Sequence, residues 1–486
     1  MTGTILLLAT LKLGTPFSDG MVLQRQMPIR VWGTSDARSE VRVKLGDDTA
    51  KALADYEGNW RVELPPRGAS KKPVSMTVTE HKVQVLPVAG AIDTLTVNDI
   101  LVGEVWFACG QSNMECPIWG DNPRFRDEKG AMMVAMSNNP FIRFVKNQKR
   151  EGNVWRHSLT TLPLKAEWRQ FDPKGLALRP GEEYMLSAVA FYFARELYLA
   201  TDVPIGIVDS SWGGTPAEAW TPPCTMPAKD LEDNLAARGG KVDQYTPTAL
   251  FNGLVATYCP MAMRGFIWYQ GCNNVNDTVS RYVERMNLLY SGWAKMFENP
   301  DLKLYFAQLA PYRTNWMNIC MAQTQFAQAE KNANLVVLAD AGNPFDIHPN
   351  RKDIVGQRLA MHALRREYGF EMPGDESPVL RKVTFNGNTA VLEFDNVKEW
   401  YIYSADWSVE PAFEMCGADG VWVKAKIANP VVTDTIRRGV VQSDGGWLTL
   451  EAEGLDKAVH VRYLGQPRTA GTLYNELSLP LGPFEK

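Results

Sequence analysis

The chain has 486 residues, of which 45% are hydrophobic and 22% charged, and this composition is typical of globular proteins. A chain of this length usually exceeds what one hydrophobic core can organise, so two or three domains are expected. The formal net charge of -4 argues against nucleic-acid or anionic-membrane binding. No apolar run approaches the roughly 18 residues of a membrane span.

The cysteine pattern and the N-terminal apolar run give information on disulfide formation and on export. The seven cysteines are odd in number and irregularly spaced, which argues against a disulfide framework. Residues 5–11 form a short apolar run with no basic residue before it, so the chain as written has no convincing signal peptide.

The first region, residues 12–98, is predicted to be a small β-sandwich-like domain. Short stretches of alternating apolar and polar residues are separated by turn-forming residues, as in sandwiches. The predicted strands lie within residues 30–32, 41–45, 60–64 and 75–79.

The middle region, residues 99–375, alternates buried strands with helical patterns, which predicts a parallel sheet with helices on both faces. Helices are expected over residues 187–199, 282–297 and 354–368. From residue 376 to 486 the period returns to strand-like alternation, which predicts a β-rich region packing on the middle one.

A serine directly after a buried strand is the first candidate nucleophile. Residues 105–109 are a continuous apolar run, and Gly110 lets the chain turn before Ser112. Open α/β sheets bind ligands beyond the carboxyl ends of their strands, where Ser112 is expected to lie. Met114 occupies the place of the second glycine in the α/β-hydrolase elbow, so the motif is not that one. A turn whose hydroxyl caps the next segment explains the spacing equally well.

The candidate base is His348, which lies in a loop between an apolar strand (335–338) and a helix. Asp346 stands two residues before it, where its carboxylate could fix the imidazole tautomer and stabilise the imidazolium. An ordinary turn is the alternative interpretation of such a pair. The remaining histidines fall in β-like, aromatic or helical segments: His81, His157, His362 and His460.

Two further strand ends carry candidate oxyanion donors. The strand at residues 205–209 leads into Gly213 and Gly214, whose backbone N–H groups can face a cleft without a side chain in the way. The strand at 265–269 is followed by Gln270, whose amide could reach the same oxygen. Each could be a simple turn, but together with Ser112 they predict one site.

These motifs resemble the sialate O-acetylesterase family, a branch of the SGNH (GDSL-like) hydrolases. The matching blocks are Gly110-Gln111-Ser112-Asn113-Met114, Trp212-Gly213-Gly214-Thr215, Trp268-Tyr269-Gln270-Gly271 and Asp346-Ile347-His348-Pro349, with flanking matches over residues 17–25, 308–312, 473–475 and 479–480. The resemblance therefore covers nearly the whole chain. One departure is that the family usually has Gly-Glu-Ser-Asn where this chain has Gly271-Cys272-Asn273-Asn274.

The resemblance implies a three-layer α/β/α catalytic domain of the SGNH type and a Ser-His-Asp mechanism. Ser112 would be the nucleophile, His348 the general base and then acid, and Asp346 the orienting carboxylate. The oxyanion hole would consist of the Ser112 N–H, the N–H of Gly213 or Gly214, and the Gln270 amide. No metal and no cofactor is expected, since the chain has no His-Glu-x-x-His motif, no Cys-x-x-Cys pair and no phosphate-binding glycine loop.

The expected substrate is an O-acetylated sugar, with sialic acid first and acetylated xylan or another plant polysaccharide as the alternative. Trp119 and Trp316 are candidate stacking surfaces for a sugar, and Asn113 and Asn274 are candidate polar contacts. Arg313 could hold a sialate carboxylate, although a solvated arginine explains it too. A glycan-binding protein with a weak active site is a third hypothesis. The resemblance implies a periplasmic or secreted location.

Overall fold

The computed structural model describes residues 11–81, 92–152, 166–372, 374–403, 411–428, 431–434, 438–441 and 445–486. The apolar run at residues 5–11 lies almost wholly outside this part of the chain, and so does His157. Within the described ranges, no helix has the length and apolar character needed to cross a membrane.

The N-terminal region consists of strands. They are Lys12–Leu13 (β1), Val22–Gln24 (β2), Ile29–Thr34 (β3), Glu40–Leu45 (β4), Asp48–Leu53 (β5), Asn59–Leu64 (β6) and Ser70–His81 (β7). In β4 and β6 buried and solvent-facing residues alternate, as half-buried strands require. One small sheet has the order β1-β3-β6, while β4 pairs with β5 on one side and with β7 on the other.

The middle region alternates strands and helices. The strands are Ile92–Gly110 (β8), Asn139–Lys146 (β9), Arg169–Phe171 (β10), Ile205–Ser211 (β11), Gly265–Tyr269 (β12), Lys303–Ala307 (β13) and Ala333–Val336 (β14). The helices are Ser112–Glu115 (α1), Gly130–Ala135 (α2), Pro173–Leu176 (α3), Ala188–Thr201 (α4), Ala228–Ala237 (α5), Val279–Met296 (α6), Met317–Ala329 (α7) and Lys352–Tyr368 (α8).

The central sheet has the order β10-β9-β11-β8-β12-β13-β14, and all its neighbours are parallel except β10, which is antiparallel to β9. After β8 the chain runs to one side of it, through β9, β10 and β11, and then crosses to the other side, where β12, β13 and β14 follow in order. The connections that leave β8 and β12 therefore run in opposite directions, so the strand order reverses at β8. The carboxyl ends of strands at such a point flank a crevice, which is where α/β proteins bind ligands.

Adjacent residues of β8 show the two helical layers, because successive side chains point to opposite faces of a sheet. Trp106 packs edge-on against Phe193 of α4 and donates to the Tyr368 hydroxyl of α8. Phe107 stacks on Phe266, whose ring lies against Trp293 of α6. The α/β fold with helices on both faces is thus confirmed.

The helix ends follow local sequence. The Ser187 hydroxyl accepts from the Ala190 N–H at the start of α4, and the Thr278 hydroxyl accepts from Arg281 N–H at the start of α6. The helix α8 ends at Gly369, which has the left-handed conformation that glycine favours at this position. The three predicted helices therefore correspond to α4, α6 and α8, with ends shifted by a few residues.

The C-terminal region is built of strands with a hydrophobic core of its own. They are Val379–Asn386 (β15), Thr389–Asp395 (β16), Trp400–Ile402 (β17), Phe413–Cys416 (β18), Trp422–Ile427 (β19), Val431–Asp434 (β20), Arg438–Val441 (β21), Trp447–Glu451 (β22), His460–Tyr463 (β23), Leu473–Asn475 (β24) and Phe484–Glu485 (β25). Two sheets form, with the orders β15-β16-β22-β19-β18-β23-β25 and β20-β21-β17-β24. The Gly471 N–H donates to Ala339 O, which joins this region to the segment after β14.

The strand β8 connects the first two regions. Its first half pairs with β7 and β2, and its second half pairs with β11 and β12. The boundary predicted between residues 98 and 99 therefore falls inside one continuous strand. The division into units at residues 12–98, 99–375 and 376–486 stays a prediction.

Candidate active site

Three neighbouring strands end level with one another at the carboxyl edge of the central sheet. Gly110 at the end of β8 lies opposite Ser211 of β11 and Tyr269 of β12. Beyond the strands the Trp212 N–H donates to Gly110 O at 3.0 Å, and the Gln111 N–H donates to Tyr269 O at 3.1 Å. This register brings the serine, glycine and glutamine motifs together.

Ser112 and His348 are in contact. Ser112 is the first residue of α1, and its Oγ lies 2.9 Å from Nε2 of His348. The Phe125 ring and the imidazole pack in a T-shaped arrangement with their centroids 4.8 Å apart. A hydroxyl within hydrogen-bond distance of an imidazole is the geometry that activates a serine.

Asp346 lies beside the other imidazole nitrogen. Its Oδ1 is 3.8 Å from Nδ1 of His348, which is an ion-pair distance rather than a hydrogen bond. The same oxygen accepts the His348 backbone N–H at 2.9 Å, and Asn343 Oδ1 accepts the Asp346 N–H at 3.2 Å. The carboxylate therefore shapes the histidine loop and places negative charge next to the ring.

Asn113 connects the serine helix to the histidine loop. Its amide donates to Ile347 O at 3.0 Å, and its Oδ1 accepts from Lys352 Nζ at 2.6 Å. Asn113 is buried, with 3% of its surface exposed. These contacts give it a bracing role and argue against the substrate contact predicted for it.

Burial lowers the pKa of His348, and the positive charge of Lys352 lowers it further, while Asp346 opposes both effects. Only neutral imidazole can accept a serine proton, so the predicted role of His348 as general base implies that activity falls as its imidazole protonates. We therefore expect kcat/KM to stay level through neutral pH and to fall only at a pH below the ordinary histidine pKa of about 6.5.

A pH profile of kcat/KM measures this fall at acid pH (the acid limb), because kcat/KM reports the ionisations of the free enzyme. In an Asp346→Asn variant the charge that raises the pKa is gone, so the residual activity should persist to lower pH than in the wild type. An acid limb centred above pH 7 would contradict the assignment to His348.

The predicted oxyanion donors differ in whether their N–H groups already donate to an acceptor within the protein. The Gly213 N–H donates to Oε2 of Glu115 at 2.9 Å. Among the residues that the structure describes, the N–H groups of Ser112 and Gly214 have no protein acceptor. Gly214 is exposed and has a φ of +73°, so its backbone adopts the left-handed region. The N–H groups of Ser112 and Gly214 are thus the predicted backbone donors that no described residue already uses.

Gln270 is fully buried, and its amide is already used inside the protein. It donates to Thr215 O at 3.1 Å and to Asn274 Oδ1 at 2.8 Å, while its Oε1 accepts from the Tyr282 hydroxyl. Asn274, predicted to contact substrate, is itself buried and donates to Glu218. This network favours a bracing role for both residues over the oxyanion and substrate contacts expected of them.

Replacement of Gln270 by alanine separates the two roles. Because three hydrogen bonds of a buried side chain are lost, we expect the free energy of unfolding to fall by about 2–4 kcal/mol, with activity declining alongside it. Thermal melting and steady-state kinetics on the same samples test this.

The exposed Gln328→Ala variant serves as the control. A Gln270→Ala protein with wild-type melting and a kcat lowered by about 10²–10³-fold would instead identify Gln270 as an oxyanion donor.

The tryptophan and arginine candidates for substrate binding differ in their solvent exposure. Trp119 is half-buried with the Arg126 guanidinium 3.7 Å from the ring centroid. Trp316 is buried and stacks on Tyr312, which leaves little ring surface for a sugar. Arg313 is exposed, and its guanidinium lies 5.4 Å from the Tyr312 centroid. Their roles as substrate contacts stay predictions.

Five residues near the site were not identified from the sequence: Glu115, Phe125, Lys149, Tyr184 and Lys352. Glu115 directly follows the serine motif, and this position in the sequence could have identified it. Lys149 pairs with Glu115 at 2.8 Å and lies 5.0 Å from the Tyr184 ring centroid. Phe125 packs edge-on against Tyr184. No sequence pattern marks the other four.

Cys272 stands where the family resemblance leads us to expect a glutamate. It is half-buried, and burial raises the pKa of its thiol to about 12. The thiol is therefore protonated at neutral pH and does not compete with Ser112 as a nucleophile. All seven cysteines are free.

Two other features lie outside this site. A cavity of about 610 Å³ separates α7 and α8 from the C-terminal strands, and its lining includes none of the predicted site residues. In the described part of the chain, no three His, Cys, Asp or Glu side chains are grouped as metal ligands.

The parallel sheet, with a serine and a histidine in contact at its switch point, is that of an SGNH-like serine carboxylic-ester hydrolase. The model of the family described as "Carbohydrate esterase, sialic acid-specific acetylesterase" matches residues 102–365. The match spans more than half of the chain, and the chain belongs to this family.

Relatives support the assignment over nearly the full length. The chain is 25% identical to the sialate O-acetylesterase of Pongo abelii, over 90% of this chain and 87% of that one, and 24% identical to the human sialate O-acetylesterase, over 88% and 84%. Among solved structures, a carbohydrate acetylesterase from Xanthomonas citri is 30% identical, covers 98% of this chain and 99% of its own, and superposes with a TM-score of 0.79. The recognition of the family from the sequence motifs is confirmed.

Proposed function

We propose that the protein removes O-acetyl groups from sialic acids through an acyl-enzyme formed on Ser112. The observation that carries this proposal is the 2.9 Å contact between Ser112 Oγ and His348 Nε2 at the switch point of the sheet. The sialate O-acetylesterases among the relatives supply the substrate class.

In the first half-reaction, Ser112 Oγ attacks the acetyl carbonyl carbon while Nε2 of His348 takes the hydroxyl proton. The carbonyl oxygen becomes an oxyanion, which the Ser112 N–H and an N–H of the Gly213–Gly214 pair stabilise. Collapse of the intermediate breaks the bond to the sugar oxygen, and that oxygen takes the proton from Nε2.

In the second half-reaction, water attacks the acetyl group on Ser112 and gives its proton to Nε2. Acetate leaves, and the proton returns to Ser112 Oγ. Asp346 stabilises the imidazolium in both halves through its charge at 3.8 Å from Nδ1. The chain's own residues supply every proton transfer.

A neutral acetylated polysaccharide such as acetylated xylan is the second candidate substrate. Two cations near the site are already engaged, since Lys149 pairs with Glu115 and Glu183, and Lys352 donates to Asn113. A sialate carboxylate would therefore need another partner, of which the exposed Arg313 is one. A neutral sugar needs none.

Acetate release from O-acetylated sialic acid and from acetylated xylan, measured side by side, tests the proposal. We expect the higher kcat/KM on the sialic acid, and the Ser112→Ala protein is the blank for both. Release from xylan alone would replace the proposed substrate, and release from neither would overturn the function. A periplasmic or secreted location belongs to the same proposal, and fractionation of the source cells tests it.

A further inference from the structure

Glu115 is a buried carboxylate inside the site that the mechanism above does not use. It is 3% exposed and lies one helical turn after Ser112. Its Oε2 accepts the Gly213 N–H at 2.9 Å, and its Oε1 lies 2.8 Å from Lys149 Nζ. Both carboxylate oxygens are therefore held by specific donors.

The contact with Gly213 links the two loops that form the site. Gly213 and Glu115 are 98 residues apart in the chain, so the bond is purely tertiary. A Cβ on Gly213 would lie 3.0 Å from Glu115 Oε2 and 3.3 Å from Ser112 Cβ. The glycine loop therefore sits directly against the nucleophile, and the carboxylate sets how close it comes.

The same contact determines which glycine N–H can donate a hydrogen bond to the oxyanion. The Gly213 N–H is occupied, whereas the Gly214 N–H is without an acceptor among the described residues. An N–H that already donates to a carboxylate offers little to a developing oxyanion, so the Gly214 N–H is the available donor of the pair.

A buried negative charge beside an oxyanion would oppose catalysis unless it were compensated. Lys149 supplies the compensation, and it is joined by Glu183 at 2.7 Å on its outer side. Its ammonium also lies 5.8 Å from the ring centroid of Trp212, the residue before the glycine pair. The chain Glu115–Lys149–Glu183 thus extends from the glycine loop to the surface.

We infer that Glu115 is a positioning residue that fixes the glycine loop through the Gly213 N–H, so that Gly214 rather than Gly213 donates to the oxyanion. The inference rests on the proposed acyl-enzyme function. It assigns a role to a carboxylate that neither attacks nor transfers a proton.

Three variants test it: Glu115→Ala removes the acceptor, Glu115→Gln keeps an acceptor oxygen for the Gly213 N–H, and Glu284→Gln is the control at an exposed carboxylate of α6 that pairs with Arg281. We expect Glu115→Ala to lower kcat by about 10²-fold with KM changed less than about threefold, since a displaced donor is lost mainly in the transition state. Glu115→Gln should recover most of that loss, and Glu284→Gln should behave as wild type.

Two further measurements separate positioning from simple stability. Affinity for a boronic acid that forms a tetrahedral adduct on Ser112 should fall together with kcat in Glu115→Ala, because the adduct uses the same donors. Amide hydrogen exchange at Gly213 should be slow in the wild type and fast in Glu115→Ala.

The inference is overturned if Glu115→Ala keeps a kcat within about threefold of wild type, or if KM alone rises, which would make Glu115 a substrate contact. It is also overturned if all the loss follows a lowered melting temperature that Glu115→Gln shares. Failure of the underlying function is a separate result, in which the wild type releases no acetate while Gly213 exchange still responds to Glu115.

Discussion

Replacing Ser112 with alanine is expected to lower acetyl-ester hydrolysis by about 10⁴-fold or more, because the side chain that forms the acyl-enzyme is gone. Among the described residues, His348 is the hydrogen-bond partner of the Ser112 hydroxyl, and Ser112 is only partly buried, so the fold should be retained. Initial rates of acetate release, with a melting curve for each sample, measure the effect.

Ser291→Ala is the matched control, since that exposed hydroxyl donates only within its own helix, to Asn287 and Leu288. Its rate should equal that of the wild type. Turnover near the wild-type rate in a folded Ser112→Ala protein would remove Ser112 from the mechanism, and with it the proposed acyl-enzyme.

Replacing Gly110 with alanine is expected to damage both stability and activity. Gly110 has a φ of +144°, and a Cβ there would lie 2.3 Å from Tyr269 O, a backbone atom that cannot easily move. Strain and overlap together should lower the free energy of unfolding by more than about 2 kcal/mol. Since Gly110 precedes the serine motif, a shift of about 1 Å there should cost about 10²-fold in kcat.

Gly120→Ala is the control for this prediction, because a Cβ at Gly120 would meet its nearest neighbour at 3.8 Å. Chemical denaturation and kinetics of the two variants give the comparison. A Gly110→Ala protein as stable and active as Gly120→Ala would mean that the turn after β8 tolerates a side chain and does not set the position of Ser112.

The fold of the middle region was predictable because its signals are local. The strands β8, β11 and β12 are buried along their apolar stretches, and continuous apolar runs of this kind can be recognised in a sequence. The helices α4 and α6 carry hydroxyl caps that mark their starts. The continuity of β8 through the predicted boundary at residue 98 was not predictable, because a change of pairing partner leaves no mark on the strand that continues.

The features of the candidate site also fall into those that the sequence predicts and those that it does not. By itself the sequence determined the α/β class, the family, and the candidacy of Ser112, His348 and Asp346, since each motif is a short contiguous segment next to a recognisable strand. Contiguous residues stay close in any fold, so their spacing carries the information.

The tertiary structure decided how the polar groups of those motifs are used. The amide of Gln270 is bound to Thr215 and Asn274, Asn113 braces the histidine loop, and Glu115 holds the Gly213 N–H. A hydrogen bond forms or fails over a few tenths of an ångström. Distances of that size between residues far apart in the chain depend on the packing of the whole sheet, and no local pattern encodes them.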